Sequence, residues 1–342
     1  MRSHVANQPC LGWNYSITSI PRPPIPSPIR LSLPVAIATI PSRTASGYAI
    51  PSSERELITN RLAHIVPCYL MLDLLSVQMM KDPYFIIGPD NTYPLPPHLA
   101  KLPPPLLLLY REGMSLLAMW AAIDAMFNAN DLAQYYFFKR YFPCGAELWR
   151  YPSTFGSLSE ILDRGLAGWW GSWWHQTFRM QFLSPSAYLL EKGYIERGTW
   201  AADAAGLLSS FFQSGLIHAA GSMTSIPPTK PWRSMIFFLL QGVGIALQQQ
   251  VALYLHKRIG PLPKGVRQAG NVAFCLSWLY VTAPIFINDM ASTGLWMFEP
   301  VPVSLFRSLR FGHVEDHWWR WDRQHWPKWY PAKHWWEIGI AL

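Results

Sequence analysis

Apolar and polar positions divide the chain into a proline-punctuated opening and a long run of helical segments. Pro21, Pro23, Pro24, Pro26, Pro28, Pro34, Pro41 and Pro51 exclude regular helix before residue 53. A helix is predicted from Ser52 or Ser53, where a hydroxyl precedes Glu54, Arg55 and Glu56. It runs through Leu57, Leu62 and Ile65 to about Met80, with an interruption near Pro67. Asp73 falls in its apolar part, so that stretch is either amphipathic or buries the acid with a partner. A proline-rich loop follows from Pro83 to Pro105, then a helix from about Leu106 to Phe127 carrying Arg111, Glu112 and Asp124.

Further on, the windows Ala204–Thr229, Ser234–His256 and Gln268–Asn288 contain no Asp, Glu, Lys or Arg. Each exceeds the ~20 residues that cross a bilayer core. Met235–Leu247 has only Gln241 as a strongly polar residue, and Pro284 would kink or end the third window. Buried core helices of a large soluble protein are the alternative. Two regions are expected: an irregular one over 1–53 and a helical membrane domain over 54–342, with its clearest spans at about 204–226, 234–256 and 268–288.

Composition favours the membrane reading. Only 14% of the 342 residues are charged, against about 25% in an ordinary soluble domain, and aromatics reach 15%. These values exclude a disordered chain. A mean hydropathy of only +0.08 argues against a protein made almost entirely of lipid-facing helices. The net charge of +8 arises from scattered Lys and Arg without a basic block, which suits an anionic lipid surface better than nucleic acid. His317–Trp336 holds seven of the 18 tryptophans beside Arg320, Arg323, Lys328 and Lys333. Indoles next to cations fit the headgroup layer, with a packed soluble subdomain as the alternative. Cys10, Cys68, Cys144 and Cys275 are too dispersed for a zinc site or a disulfide framework, and residues 1–20 have no apolar core of a signal peptide.

Candidate chemistry centres on histidines. His313 and His317 would chelate a metal only as an i, i+4 helical pair, and interfacial histidines are the better reading, so no metal is assigned. GxSxG, GxxxxGK[ST] and GxGxxG are all absent from the sequence. His218 lies inside a charge-free window, with Ser214, Gly215, Gly221 and Ser222 three and four residues away on either side. Small neighbours leave room for a substrate beside an imidazole, and they also let membrane helices pack closely. His175 ends the run Trp169-Trp170-Gly171-Ser172-Trp173-Trp174-His175-Gln176. On a helix, 169/173 and 170/174 would form two stacked indole pairs beside a face carrying Gly171, His175 and Arg179. Such a collar suits a dry site or an interfacial belt.

Phe155-Gly156-Ser157-Leu158-Ser159-Glu160, Trp170-Gly171-Ser172-Trp173-Trp174-His175-Gln176 and Ser214-Gly215-Leu216-Ile217-His218 resemble, in order and spacing, the wax synthase-like branch of the membrane-bound O-acyltransferase superfamily. Gly12-Trp13-Asn14 followed by Ile20-Pro21 is similar to a segment of fungal members that acetylate terpenoid and meroterpenoid hydroxyls. Members usually carry several transmembrane helices before that segment, whereas 11 residues precede Gly12 here. The resemblance implies an all-α, polytopic transmembrane helix bundle with an internal substrate tunnel, in the endoplasmic reticulum. It implies His218 as catalytic base and His175 as second polar residue, in place of the asparagine of the related F-Y-x-D-W-W-N motif. Gln176, Trp174 and Ser214 would orient substrate or oxyanion. No tightly bound cofactor is expected. Acetyl-CoA would be co-substrate, a hydrophobic alcohol the acceptor and the lipid bilayer the surroundings. Long-chain wax-ester synthesis and a non-catalytic membrane carrier or scaffold are the alternatives.

Overall fold

The computed structural model describes residues 41–225, 229–322, 326, 328–334 and 337–341. Most of the expected N-terminal region, including Gly12-Trp13-Asn14 and Cys10, lies outside them, as do Arg323, Trp335 and Trp336 of the tryptophan-rich segment. The described residues are all-α in class, with helices α1 (Glu54–Met79), α2 (Pro83–Ile87), α3 (Pro97–Ala100), α4 (Pro104–Tyr141), α5 (Ser159–Arg164) and α6 (Leu166–Gly168). A π-helical turn at Trp169–Trp173 precedes α7 (Arg179–Glu191), α8 (Trp200–Met223), α9 (Trp232–Ile259), α10 (Lys264–Ser292) and α11 (Leu305–Ser308). The strands β1 (Lys328–Tyr330) and β2 (Gly339–Ala341) pair antiparallel.

Four of these helices, α1, α4, α9 and α10, are long and apolar enough to cross a membrane. α9 and α10 cover the second and third charge-free windows. The first window falls on α8, which is helical but diluted by serine, glycine and glutamine, and it is not one of the four. α1 begins as the hydroxyl–acid pattern predicts: Ser53 Oγ accepts the Glu56 amide, and the Glu56 carboxylate accepts the Ser52 amide and hydroxyl. This reciprocal cap satisfies donors that the first helical turn leaves open.

Two local expectations are corrected. α1 continues through Pro67, because proline removes one helix hydrogen bond and a long apolar helix tolerates that loss. The segment from Pro83 to Pro105 is not a plain loop. Pro83 and Pro97 each open a short helix, and Pro104 opens α4. Proline is favoured at the first helical position, where its missing N–H would have no partner anyway. α4 then runs for 38 residues, well past Phe127, which at 1.5 Å per residue makes it ~57 Å long.

The chain divides into two compact units. The first comprises the residues up to Ile65, Asp124–Ser210 and Gly242–Ser277. Leu57, Tyr135 and Tyr151 form a buried cluster there, with the two tyrosine rings edge to face. Arg61 is buried beside it, paired with Asp131 at 2.9 Å and donating to the carbonyls of Tyr151 and Pro152. Residues 41–53, expected to be irregular, are built into this unit. A bridge joins Arg43 to Ala49, and Tyr48 is fully buried. Gly47 turns the chain at φ +81°, where a Cβ would lie 2.3 Å from Ser157 Cβ.

The second unit comprises Val66–Ile123, Phe211–Gln241 and Trp278–Leu342. Leu75, Met79, Tyr84, Phe85, Ala118, Ala291 and Trp296 form its buried cluster. Asp73 is buried with partners: it accepts from the Ser304 hydroxyl and from the amides of Leu305 and Phe306, capping α11. Arg111 clasps the buried Asp82 through two hydrogen bonds and lies over the Tyr84 ring. Beyond α10, Glu299 holds both Arg307 and Arg320, and Asp316 pairs with Arg307 as well. Residues 299–320 are therefore a tied, ion-paired segment. His313 and His317 lie on no helix, so the chelating spacing is not formed. Trp318, Trp319 and Trp321 stay substantially exposed.

Candidate active site

His175 leaves the π-helical turn at its C-terminal end. A π turn shifts hydrogen bonds from i+4 to i+5, here Trp174 N–H to the Trp169 carbonyl at 2.8 Å. The indoles consequently differ from an α-helical arrangement. Trp169/Trp173 and Trp170/Trp174 meet edge to face, and the near-parallel pair is Trp169/Trp174, 6.3 Å apart at 11°. The expected stacking at i, i+4 is thus replaced by stacking at i, i+5.

The turn is held through its carbonyl groups. Gln176 Nε2 donates to the carbonyls of Trp170 (3.1 Å) and Trp174 (2.5 Å), and Arg179 donates to Gly171. The Tyr48 hydroxyl donates to Ser172 (2.7 Å) and Trp174 (3.3 Å), and the Gly156 amide donates to Trp173. Burial pushes the Tyr48 hydroxyl up from its usual pKa, so it remains a donor, and burial lowers that of Arg179. Two glycines allow the close approach. A Cβ on Gly168 would sit 1.9 Å from the Glu160 carbonyl oxygen, and one on Gly156 would sit 2.5 Å from that of Ser172.

In this arrangement the Gln176 side chain supports the backbone. Both amide donors go to main-chain carbonyls, and its oxygen accepts from Arg179 at 2.6 Å. In this conformation its polar atoms position the turn. Trp174 is half-buried against His175, with ring centres 5.6 Å apart. His175 is half-buried, 3.2 Å from the Thr177 hydroxyl, with Phe127 and Phe155 nearby.

His218 belongs to the other unit, in the C-terminal half of α8. Its imidazole stacks on Phe238 (4.7 Å, 13°) and meets the edge of Phe286 (5.2 Å, 84°). Both phenylalanines are buried, and Phe237 stacks on Phe286 behind them. The ring is thus clamped on two sides, while the residue itself is accessible in the wall of a cavity of about 480 Å³. That volume lies within the range of small-molecule sites. Gly221 and Ser222 line the cavity beside His218, as their spacing predicts. Gly215 does not: a Cβ there would meet the Met235 backbone at 3.0 Å, so it serves close helix packing. Ser214 is half-buried and outside the cavity lining. Sequence reasoning missed Phe238, Phe286 and Asp289. The acid lies one position beyond the third charge-free window, and that was its only visible signal.

Among the described residues, no group of three or more His, Cys, Asp or Glu is placed to hold a metal ion.

Residues 151–240 match the model of the membrane bound O-acyl transferase family. This stretch contains both histidine segments and the π-helical turn, and over it the chain is similar to that family. With four helices long and apolar enough to span, the chain is a membrane protein. Curated relatives include acetyltransferase eriL of Hericium erinaceus, 26% identical over 166 residues (48% of this chain, 42% of the relative). Acetyltransferase pyr8 of Aspergillus fumigatus is 27% identical over 167 residues (44% and 36%). O-Mevalon transferase macI of Penicillium terrestre is 32% identical over 177 residues (48% and 40%). The chain thus spans less than half the length of these relatives. No solved structure matches it.

Proposed function

We propose that the protein is an acyl-CoA-dependent O-acyltransferase of the endoplasmic reticulum membrane that acetylates a hydroxyl of a terpenoid or meroterpenoid alcohol, with His218 as general base. The observation that carries this reading is an accessible imidazole, clamped by two phenylalanines, in the wall of a cavity of small-molecule size.

The neutral imidazole accepts the hydroxyl proton while the alcohol oxygen bonds to the thioester carbonyl carbon. Collapse of the tetrahedral intermediate breaks the C–S bond, and the imidazolium returns the proton to the thiolate, so free thiol leaves and the base is regenerated. A thiol with pKa ~8.5 needs no strong acid to depart. The ring contacts with Phe238 and Phe286 fix the imidazole before the acceptor arrives, which lowers the entropic part of the barrier. His175, held at the end of the π-helical turn, is the second polar residue that the resemblance implies, and its role is tested separately from that of His218.

The acetyl donor is supported by two relatives named acetyltransferases. The relative named for O-mevalon transfer favours a larger acyl group as the second reading. The test is transfer from labelled acetyl-CoA, in competition with palmitoyl-CoA, to a panel of terpenoid alcohols in membranes carrying the protein. His218→Ala is expected to lower transfer by roughly 10²–10⁴-fold at unchanged protein level. Full activity in that variant refutes the assignment of His218, and preferred palmitoyl transfer refutes the acetyl donor.

A further inference from the structure

The cavity beside His218 contains polar groups that proton abstraction does not use. Asp289, on the last turns of α10, is 1% exposed and lines the cavity. Its Oδ1 accepts the Lys230 main-chain amide at 2.6 Å, and Oδ2 has no donor among the described residues. The Lys230 ammonium does not neutralise it, because that group lies 3.2 Å from Asp90. Ser222, 5% exposed on α8, also lines the cavity, and its hydroxyl has no hydrogen-bond partner among the described residues. Buried polar atoms are nearly always paired, and leaving them unpaired costs stability. The Ser222 hydroxyl is such an atom, and with the second carboxylate oxygen of Asp289, on another helix lining the same cavity, it points to a ligand that completes both. Ile217, Phe286, Met290, Leu295 and Phe298 supply apolar wall. The complementary ligand therefore has a hydrophobic body and a hydrogen-bonding group besides the one presented to His218.

We propose that Asp289 and Ser222 form a second polar anchor that selects acceptors carrying at least two hydroxyl groups. One hydroxyl receives the acyl group at His218, and the other donates to Asp289 Oδ2 and pairs with the Ser222 hydroxyl. This proposal rests on the acyltransferase reading above.

Androstanol and androstanediol test it, since they share one rigid four-ring body and differ by one hydroxyl. Binding of tritiated androstanediol to the purified full chain, with unlabelled androstanol as competitor, gives the preference ratio. Wild type is expected to bind the diol roughly tenfold more tightly, the scale of one hydrogen bond to a charged group. Asp289→Asn keeps an oxygen for the Lys230 amide and replaces Oδ2 by a donor, so the ratio should fall to about threefold or less. Ser222→Ala, which orphans no partner, should also lower the ratio, and it carries the test if Asp289→Asn fails to fold. No binding of the diol, no preference in wild type, or a ratio unchanged in both variants overturns the proposal. Acetyl transfer measured on the same samples separates the two claims. A diol preference without transfer refutes the acyltransferase reading and leaves the anchor standing, whereas transfer without preference refutes the anchor alone.

Discussion

Replacing Gln176 with Leu removes the side chain that ties the π-helical turn together while nearly preserving its volume. Two neutral hydrogen bonds are lost, to the carbonyls of Trp170 and Trp174, together with the charge-assisted bond from Arg179. At about 1 kcal/mol for each neutral bond and about 1.5–3 kcal/mol for the charged one, the loss is roughly 3–5 kcal/mol. The leucine recovers about 1–2 kcal/mol, because the site is 6% exposed and buries nearly all of an apolar side chain. Trp174 keeps the Tyr48 hydroxyl and Arg179 keeps the Gly171 carbonyl, so part of the support survives. The net destabilisation is about 2–3 kcal/mol. For a chain of this size that corresponds to a fall in melting temperature of roughly 3–4 °C. Thermal unfolding of the detergent-purified protein, followed by tryptophan fluorescence, measures it. If Gln176 instead served the oxyanion, the variant would melt like wild type and lose roughly 10²–10³-fold in turnover. A melting temperature within about 1 °C of wild type refutes the positioning role.

Three further outcomes follow from the same geometry. Gly168→Ala drives a Cβ into the Glu160 carbonyl; overpacking of this kind costs about 1–3 kcal/mol or more, and less folded protein should accumulate in membranes, read by quantitative immunoblot. Asp73→Ala leaves the Ser304 hydroxyl and two α11 amides without their acceptor; it should destabilise by about 3 kcal/mol or more, whereas Asp73→Asn, which retains one acceptor oxygen, should lose less in the same melting assay. His175→Ala should lower turnover by roughly 10²-fold, the size of effect that losing one positioned hydrogen-bond donor has, and His175→Asn should retain more because an amide also donates; equal activity of the two variants refutes a hydrogen-bonding role for His175.

Much of the helical layout was legible because its signals are local. The start of α1 lies in four consecutive residues, Ser53 to Glu56, and α9 and α10 appear as windows without charge. The elements that sequence reasoning misplaced depend on context. Pro67 reads as a break because proline breaks solvent-exposed helices, yet α1 is long and apolar enough to continue through it. Pro83, Pro97 and Pro104 read as loop by their number, although each occupies the one helical position that favours proline. The neighbours of His218 on α8 were visible from 3.6-residue periodicity. The clamp was not, since Phe238 and Phe286 come from two other helices. The π turn at Trp169–Trp173 was hidden for the same reason. Its carbonyls are satisfied in part by Tyr48, more than a hundred residues away, and no local propensity records that partner.

A π turn is geometrically an α-helix into which one residue has been inserted. Each residue of an α-helix advances by about 100°, so removing one position from Trp169–Trp173 would restore ordinary winding and rotate everything downstream by about that angle. The imidazole of His175 would then face a different neighbour, and the carbonyls now held by Tyr48, Gln176 and Arg179 would turn away from these donors. Single-residue gaps in this stretch therefore act as switches of side-chain address. Two homologous chains that differ there by one residue carry their histidine or asparagine on different faces, however well the flanking tryptophans align.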